Sequence, residues 1–176
     1  MISGVSAAGK STVARQLARR LPSAVCVCGD EIHSMVVSGG VDMAPQASEE
    51  ALRQLVLRYA GALAVAEVYL RAGFDAVVED VIIGPVLREF LELVPVSEFH
   101  LVFLDPDAAA IQERERDRAG NTYSKRWSVG ALLAVLREQT ARIGLWLDST
   151  DLTAEQTVDR ILADPAASLV RAETTV

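Results

Sequence analysis

The sequence predicts a three-layer α/β fold, a five-stranded parallel sheet with helices on both faces. Three observations carry this reading. Short apolar strands alternate with amphipathic helical stretches along the chain. A glycine-rich loop, GVSAAGKST at residues 4–12, runs straight into a helical pattern. Acidic residues, Asp30 and the pair Glu79-Asp80, recur at predicted strand ends, the rim where parallel sheets bind ligands.

The first strand is the weak element. A strand feeding such a loop should be central, yet Met1-Ile2-Ser3 leave only a stub, which predicts an upstream start or a shortened strand. "TVARQLARRL" follows the loop, with Val13, Leu17 and Leu21 on one helical face and arginines between them. "AVCVC" reads as the second strand, ending at Gly29-Asp30. "SEEALRQLVLRYAGALAVAEVYLRAG" reads as a long helix, capped by Ser48 and stopped by Gly73. "DAVVEDVII" holds the third strand, and "GPVLREFLELV" a helix with Pro85 in its first turn. "FHLVFLD" is the fourth strand, and "PDAAAIQERERDR" the helix entered through Asp105-Pro106. A polar run, "AGNTYSKRW", precedes the helix "SVGALLAVLREQTAR" and the last strand in "IGLWLDST". Thr153 and Gln156 stand at capping-box spacing ahead of the final helix, "AEQTVDRILA".

The bulk properties bound the function. A length of 176 residues without internal repeat or linker reads as one domain, 1–176. A hydrophobic share of 51% with 23% charged residues excludes a disordered chain. The net charge of -7 argues against a general binder of nucleic acid or anionic membranes. No apolar run reaches membrane-spanning length and no signal peptide precedes the loop, so the expected address is cytoplasmic. Cys26 and Cys28 fall on one face of the second strand, with only His33 near in sequence, and read as small buried thiols rather than metal ligands.

The loop carries the chemistry. Two glycines five apart followed by Lys-Ser fit the P-loop pattern, against the bland alternative of a small-residue turn. Gly4 and Gly9 let the backbone curl so that N–H groups from Ala7 through Thr12 point at phosphate. Lys10 would neutralise phosphate charge, and the Ser11 hydroxyl would hold Mg²⁺ on ATP. A guanine-reading Asn-Lys-x-Asp motif is absent, since the only asparagine, Asn121, is followed by Thr122. A mechanical ATPase normally sits in a larger chain, whereas a small-molecule kinase fits this size.

Such a kinase needs an acceptor site and a lid. Asp30 is suited to orient or deprotonate an acceptor hydroxyl; its structural alternative is capping the helix "EIHSMVV". Asp80 is a Walker-B-like carboxylate for Mg²⁺, with Glu79 as the alternative on the opposite face. The lid is expected at about residues 114–127. There Arg114 and Arg118 share a helical face and Arg116 points elsewhere; a solvated helix laced by Glu113, Glu115 and Asp117 is the alternative. Lys125, Arg126 and Trp127 either join the lid or, for Trp127, the core. Met35, Val36, Val37 and Met43 would wall an acceptor pocket, with His33 or Arg53 as its polar contact. The expected partner is thus a small hydroxylated molecule, an apolar-walled pocket suiting a drug-like alcohol over a sugar acid. A nucleoside, nucleotide or sugar-acid kinase is the alternative on the same fold, and a non-catalytic nucleotide binder the alternative without chemistry. The chain is expected as a monomer or homodimer.

The order GVSAAGKST, CGDEIH, VVEDVIIG, FLDPDAAAIQERERDR, LWLDST resembles small P-loop kinases of the nucleoside-monophosphate-kinase-like group. The chain is most similar to the chloramphenicol phosphotransferase-like branch, with gluconate kinase-like proteins next, nearly end to end. The resemblance implies the P-loop NTPase fold with strand order 2-3-1-4-5 and a small helical lid. It also implies Asp30 acting on the acceptor hydroxyl, an acidic strand end at Glu79-Asp80-Val81, and lid arginines among Arg114 to Arg118. Where that branch continues with a Gly-Asp-Arg element, this chain reads Ala119-Gly120-Asn121.

Overall fold

The computed structural model describes residues 1–116 and 127–171. The elements run β1 (Ile2–Gly4), α1 (Lys10–Arg20), β2 (Ala24–Cys28), α2 (Gly29–Ser34), α3 (Glu49–Arg71), β3 (Asp75–Glu79) and α4 (Val86–Leu93). They continue with β4 (Glu98–His100), β5 (Val102–Leu104), α5 (Ala108–Arg116) and α6 (Val129–Ala134), which passes into a π-helical turn over Val135–Gln139. The chain closes with β6 (Leu145–Leu147), α7 (Ala154–Ala163), α8 (Pro165–Ser168) and β7 (Leu169–Arg171).

Five strands form one parallel sheet in the order β2-β3-β1-β5-β6. Counted among these five alone, the order is second, third, first, fourth, fifth, as the family resemblance implied. β1 is central and short, and its three residues are fully buried. Its ladder is extended by neighbours: Val102 N–H donates to the Met1 carbonyl (3.0 Å), and Asp80 N–H to the Ile2 carbonyl (3.2 Å). Beyond the end of β3, the Ser3 hydroxyl donates to the Ile82 carbonyl (2.8 Å) and accepts from the Ile82 N–H (3.1 Å). A side chain thereby replaces the missing backbone partner in a buried position.

The expected fourth strand is two strands. Leu101 divides them: its N–H donates to the Ser168 carbonyl (2.8 Å) and its carbonyl accepts from Leu145 N–H (2.9 Å). Residues before it pair antiparallel with β7 in a separate two-stranded sheet, and those after it enter the main sheet. The expected helix over residues 128–142 is also interrupted. The buried Thr140 hydroxyl donates to the Val135 carbonyl (3.0 Å) and accepts from Gly84 N–H (2.6 Å), which widens the last turn.

Other boundaries follow local chemistry. Ser48 caps α3 through Ala51 N–H (3.2 Å), and Gly73 ends it at φ +85°. Both bonds of the Thr153–Gln156 capping box are present at α7. Apolar cores lie on both sheet faces. Ile2, Val5, Phe103, Ile111 and Leu136 belong to the larger, and Val27, Ala62, Ala66 and Val78 to the smaller, under α3. Cys26 is half-buried and Cys28 buried, both as free thiols. No described helix is long and apolar enough to cross a membrane.

Candidate active site

The P-loop takes the conformation its residues were expected to allow. Gly4 sits at φ +139° and Gly9 at φ +97°. A Cβ on Gly4 would lie 2.5 Å from the Leu104 carbonyl oxygen, so the sharp exit from β1 beside β5 admits only glycine. Gly9 N-caps α1 and so brings no capping side chain to the first turn, and no acidic residue occupies that turn. This leaves the helix N-terminus as an anion site. The Lys10 ammonium, largely buried, donates to the Val5 carbonyl across the loop (3.0 Å). A cleft of about 350 Å³ opens over the loop, bounded by Asp30, Glu79 to Val81, Arg114 and the segment from Ser149 to Thr157.

The two acidic residues at the end of β3 divide as alternation requires. Glu79 faces the loop, and the Ser11 hydroxyl donates to its Oε1 at 2.8 Å. On its other side lies the Cys28 thiol, which burial first and the Glu79 hydrogen bond next push up to about 11. Asp80 turns toward α3, where its Oδ1 accepts from the Arg58 guanidinium and from Val81 N–H. It is buried, and burial pushes its carboxyl above the usual range against the pull of Arg58. Asp80, to which sequence spacing gave the metal role, has Oδ1 engaged by Arg58 and Val81 N–H, while its buried Oδ2 has no hydrogen-bond partner. The oxygen pair adjoining Ser11 belongs to Glu79.

Asp30 stands in the first turn of α2 with its side chain 79% exposed, on the cleft rim, 3.7 Å from the Arg58 guanidinium. The N-cap position of α2 is Cys28 rather than Asp30, and no side-chain cap hydrogen bond forms from it. Arg58 was missed in the sequence, although a signal existed. It lies on the buried stripe of α3 with Leu55, Tyr59 and Ala62, a charge where apolar residues are expected.

Arg114 reaches the loop from α5. Its guanidinium donates to the carbonyls of Ala8 (3.3 Å), Ser149 (2.6 Å) and Thr150 (3.2 Å), tying α5 to the P-loop and to the turn after β6. Arg116 is exposed, on another face. Arg118, Lys125 and Arg126 lie outside the described residues. Trp127 is half-buried and donates its indole N–H to the Met43 carbonyl (3.2 Å). Met35, Val36 and Val37 are exposed beyond α2 and do not line the 350 Å³ cleft. Arg53 pairs bidentately with Glu50 (2.7 Å each), and His33 lies 3.6 Å from Asp42.

No curated protein matches the chain. Among solved structures, an unliganded sugar kinase from Janibacter sp. is 21% identical at TM-score 0.66, covering 95% of this chain and 93% of that one. The Deinococcus radiodurans tunicamycin resistance protein is 20% identical at TM-score 0.64, covering 96% and 95%. The Mycobacterium tuberculosis APS kinase in complex with AMPPNP and APS is 19% identical at TM-score 0.62, covering 92% and 93%. These likenesses establish the shared fold. The AAA domain family (AAA_33) matches residues 1–146, which take in the P-loop, Asp30, the acidic strand end and Arg114. The chain belongs to this AAA domain family.

Proposed function

We propose that this protein transfers the γ-phosphoryl group of ATP to a hydroxyl of a small, uncharged molecule. The observation that carries the proposal is the meeting of three elements on one cleft: the Lys10 loop, the Ser11–Glu79 pair and the exposed carboxylate of Asp30. The fold neighbours described as kinases support the same reading.

In this reading the backbone amides from Ala7 to Thr12 and the Lys10 ammonium bind the phosphates, Lys10 exchanging the Val5 carbonyl for phosphate oxygen. Ser11 and Glu79 supply two hard oxygen donors side by side, a donor set suited to Mg²⁺. The ion, when bound, would neutralise charge on the phosphates. Asp30 orients the acceptor hydroxyl and takes its proton as the oxygen bonds to the γ-phosphorus; the bond to the β-phosphate oxygen breaks and ADP leaves. Arg114 holds the loop and the turn after β6 together at the cleft wall.

An uncharged acceptor is favoured because Arg53 and His33, the polar contacts expected for it, lie against Glu50 and Asp42. An anionic sugar acid would need unpaired cations there. The test is an ADP-release screen across hydroxylated compounds with ATP and Mg²⁺, run beside Lys10→Ala and Asp30→Asn. Acceptor-dependent ADP release that both variants lose supports the proposal, and release equal in wild type and Asp30→Asn refutes it.

A further inference from the structure

Three carboxylates crowd the strand ends where a polyanionic nucleotide is expected. Glu79 is answered by Ser11, while Asp30 and Asp80 both pair with Arg58, Lys10 also acting on Asp80. We propose that Arg58 is a positioning residue for the acceptor step: anchored on the buried Asp80, its guanidinium holds the exposed Asp30 carboxylate at the phosphate-loop rim. The proposal rests on the phosphotransfer reading for its chemistry, and on the packing of α2 against α3 for its geometry.

The anchor is largely buried. Arg58 is only 15% exposed on its side chain, and Tyr59, next to it, donates its hydroxyl hydrogen to the Val81 carbonyl (2.9 Å). These contacts fix α3 against the end of β3. One turn along α3, Ile32 of α2 packs so closely on Gly61 that an added Cβ would meet its Cγ2 at 3.1 Å. The helix that presents Asp30 is therefore seated on the helix that presents Arg58.

Neutralising Asp80 would account for one arm of Arg58 but not for the other. An ion pair to a carboxylate that is 79% exposed adds little to stability. It does matter for placement. The negative charge of Asp80 acts on Asp30, and an incoming triphosphate adds more, so an untethered Asp30 would turn toward solvent. Arg58 offsets that repulsion where the acceptor hydroxyl must be met.

The test is a double-mutant cycle in the full chain. Removing Arg58 alone strands a buried Asp80 charge and can unfold the protein, so Arg58→Met is made on an Asp80→Asn background. Against Asp80→Asn alone, it is expected to lower kcat roughly tenfold with the KM for ATP held within about twofold. It should also accelerate amide exchange over Gly29–Ser34. On an Asp30→Asn background, with Asp80→Asn retained, the same change should cost less than about twofold, because its effect runs through Asp30. Arg58→Lys, which keeps a charge, should recover part of kcat. Equal cost of Arg58→Met with and without Asp30, or no cost on the Asp80→Asn background, overturns the proposal. If no acceptor is turned over, the phosphotransfer reading fails by itself. The exchange comparison still decides on Arg58, since unchanged exchange over Gly29–Ser34 refutes the tether.

Discussion

Gly29 joins the second strand to the helix that presents Asp30, and its replacement by alanine tests the site's construction. A Cβ there would stand 1.9 Å from Oδ2 and 2.2 Å from Cγ of Asp80, where ordinary contact needs more than 3 Å. Asp80 has nowhere to retreat, since Oδ1 is held by Arg58 and by Val81 N–H. Accommodation therefore requires that the buried ion pair loosen or that β2 and α2 shift. Overpacking a core costs about 1–3 kcal/mol, and disrupting a buried pair about 3–5. An expected loss of about 3 kcal/mol corresponds to a Tm drop of about 6–12 °C for a chain this long. Urea and thermal unfolding measure it. Gly130→Ala, whose Cβ meets no atom within 4 Å, is the control and should be neutral or slightly stabilising. The cost should shrink on an Asp80→Ala background, which removes the clashing atoms. If Gly29→Ala stays within about 0.5 kcal/mol of wild type, the tight seating of Asp80 on this turn is wrong.

What the sequence disclosed divides by range. The P-loop, the cap of α3 and the capping box of α7 are set by residues within a few positions of each other, and the structure shows each where expected. The parallel sheet was legible because every strand-helix alternation carried its own period. The split at Leu101 was not, since it depends on β7, a three-residue strand about 70 positions away with no periodicity to announce it. The site shows the same contrast. Lys10, Ser11 and Asp30 sit on motifs, and the structure gathers them on one cleft. The different surroundings of Glu79 and Asp80 were not legible, because they depend on Ser11 lying on one side and Arg58 on the other. Arg58 itself reads as one more charge in a helix until the buried stripe around it is drawn, and its partners are 22 and 28 positions away.

The remaining predictions address the chemistry. Lys10→Ala should abolish phosphotransfer with a native circular dichroism spectrum, and unchanged turnover would refute the phosphate role. Asp30→Asn should lower kcat by about 10²-fold with ATP affinity nearly constant, measured by steady-state kinetics and nucleotide titration. If Glu79 holds the metal as proposed, Glu79→Gln should raise the Mg²⁺ concentration for half-maximal turnover, and an unshifted Mg²⁺ profile would favour Asp80 for that role. Cys28 should resist iodoacetamide in the native protein, because a thiol pushed up to about 11 is ionised in about one molecule per thousand at pH 8. Mass spectrometry should find it labelled readily only after unfolding. The last prediction separates the two described arginines of α5. Arg114 bonds three carbonyls on two sides of the cleft, whereas Arg116 is exposed. Arg114→Ala leaves those carbonyls without their charged donor and frees α5 from the loop, at a cost of about 1.5–3 kcal/mol for such bonds. If the tie serves nucleotide binding and transfer, kcat/KM for ATP should fall at least about tenfold, while Arg116→Ala stays within about twofold. An Arg116→Ala variant more impaired than Arg114→Ala would mean that the cleft closes on a different face of α5.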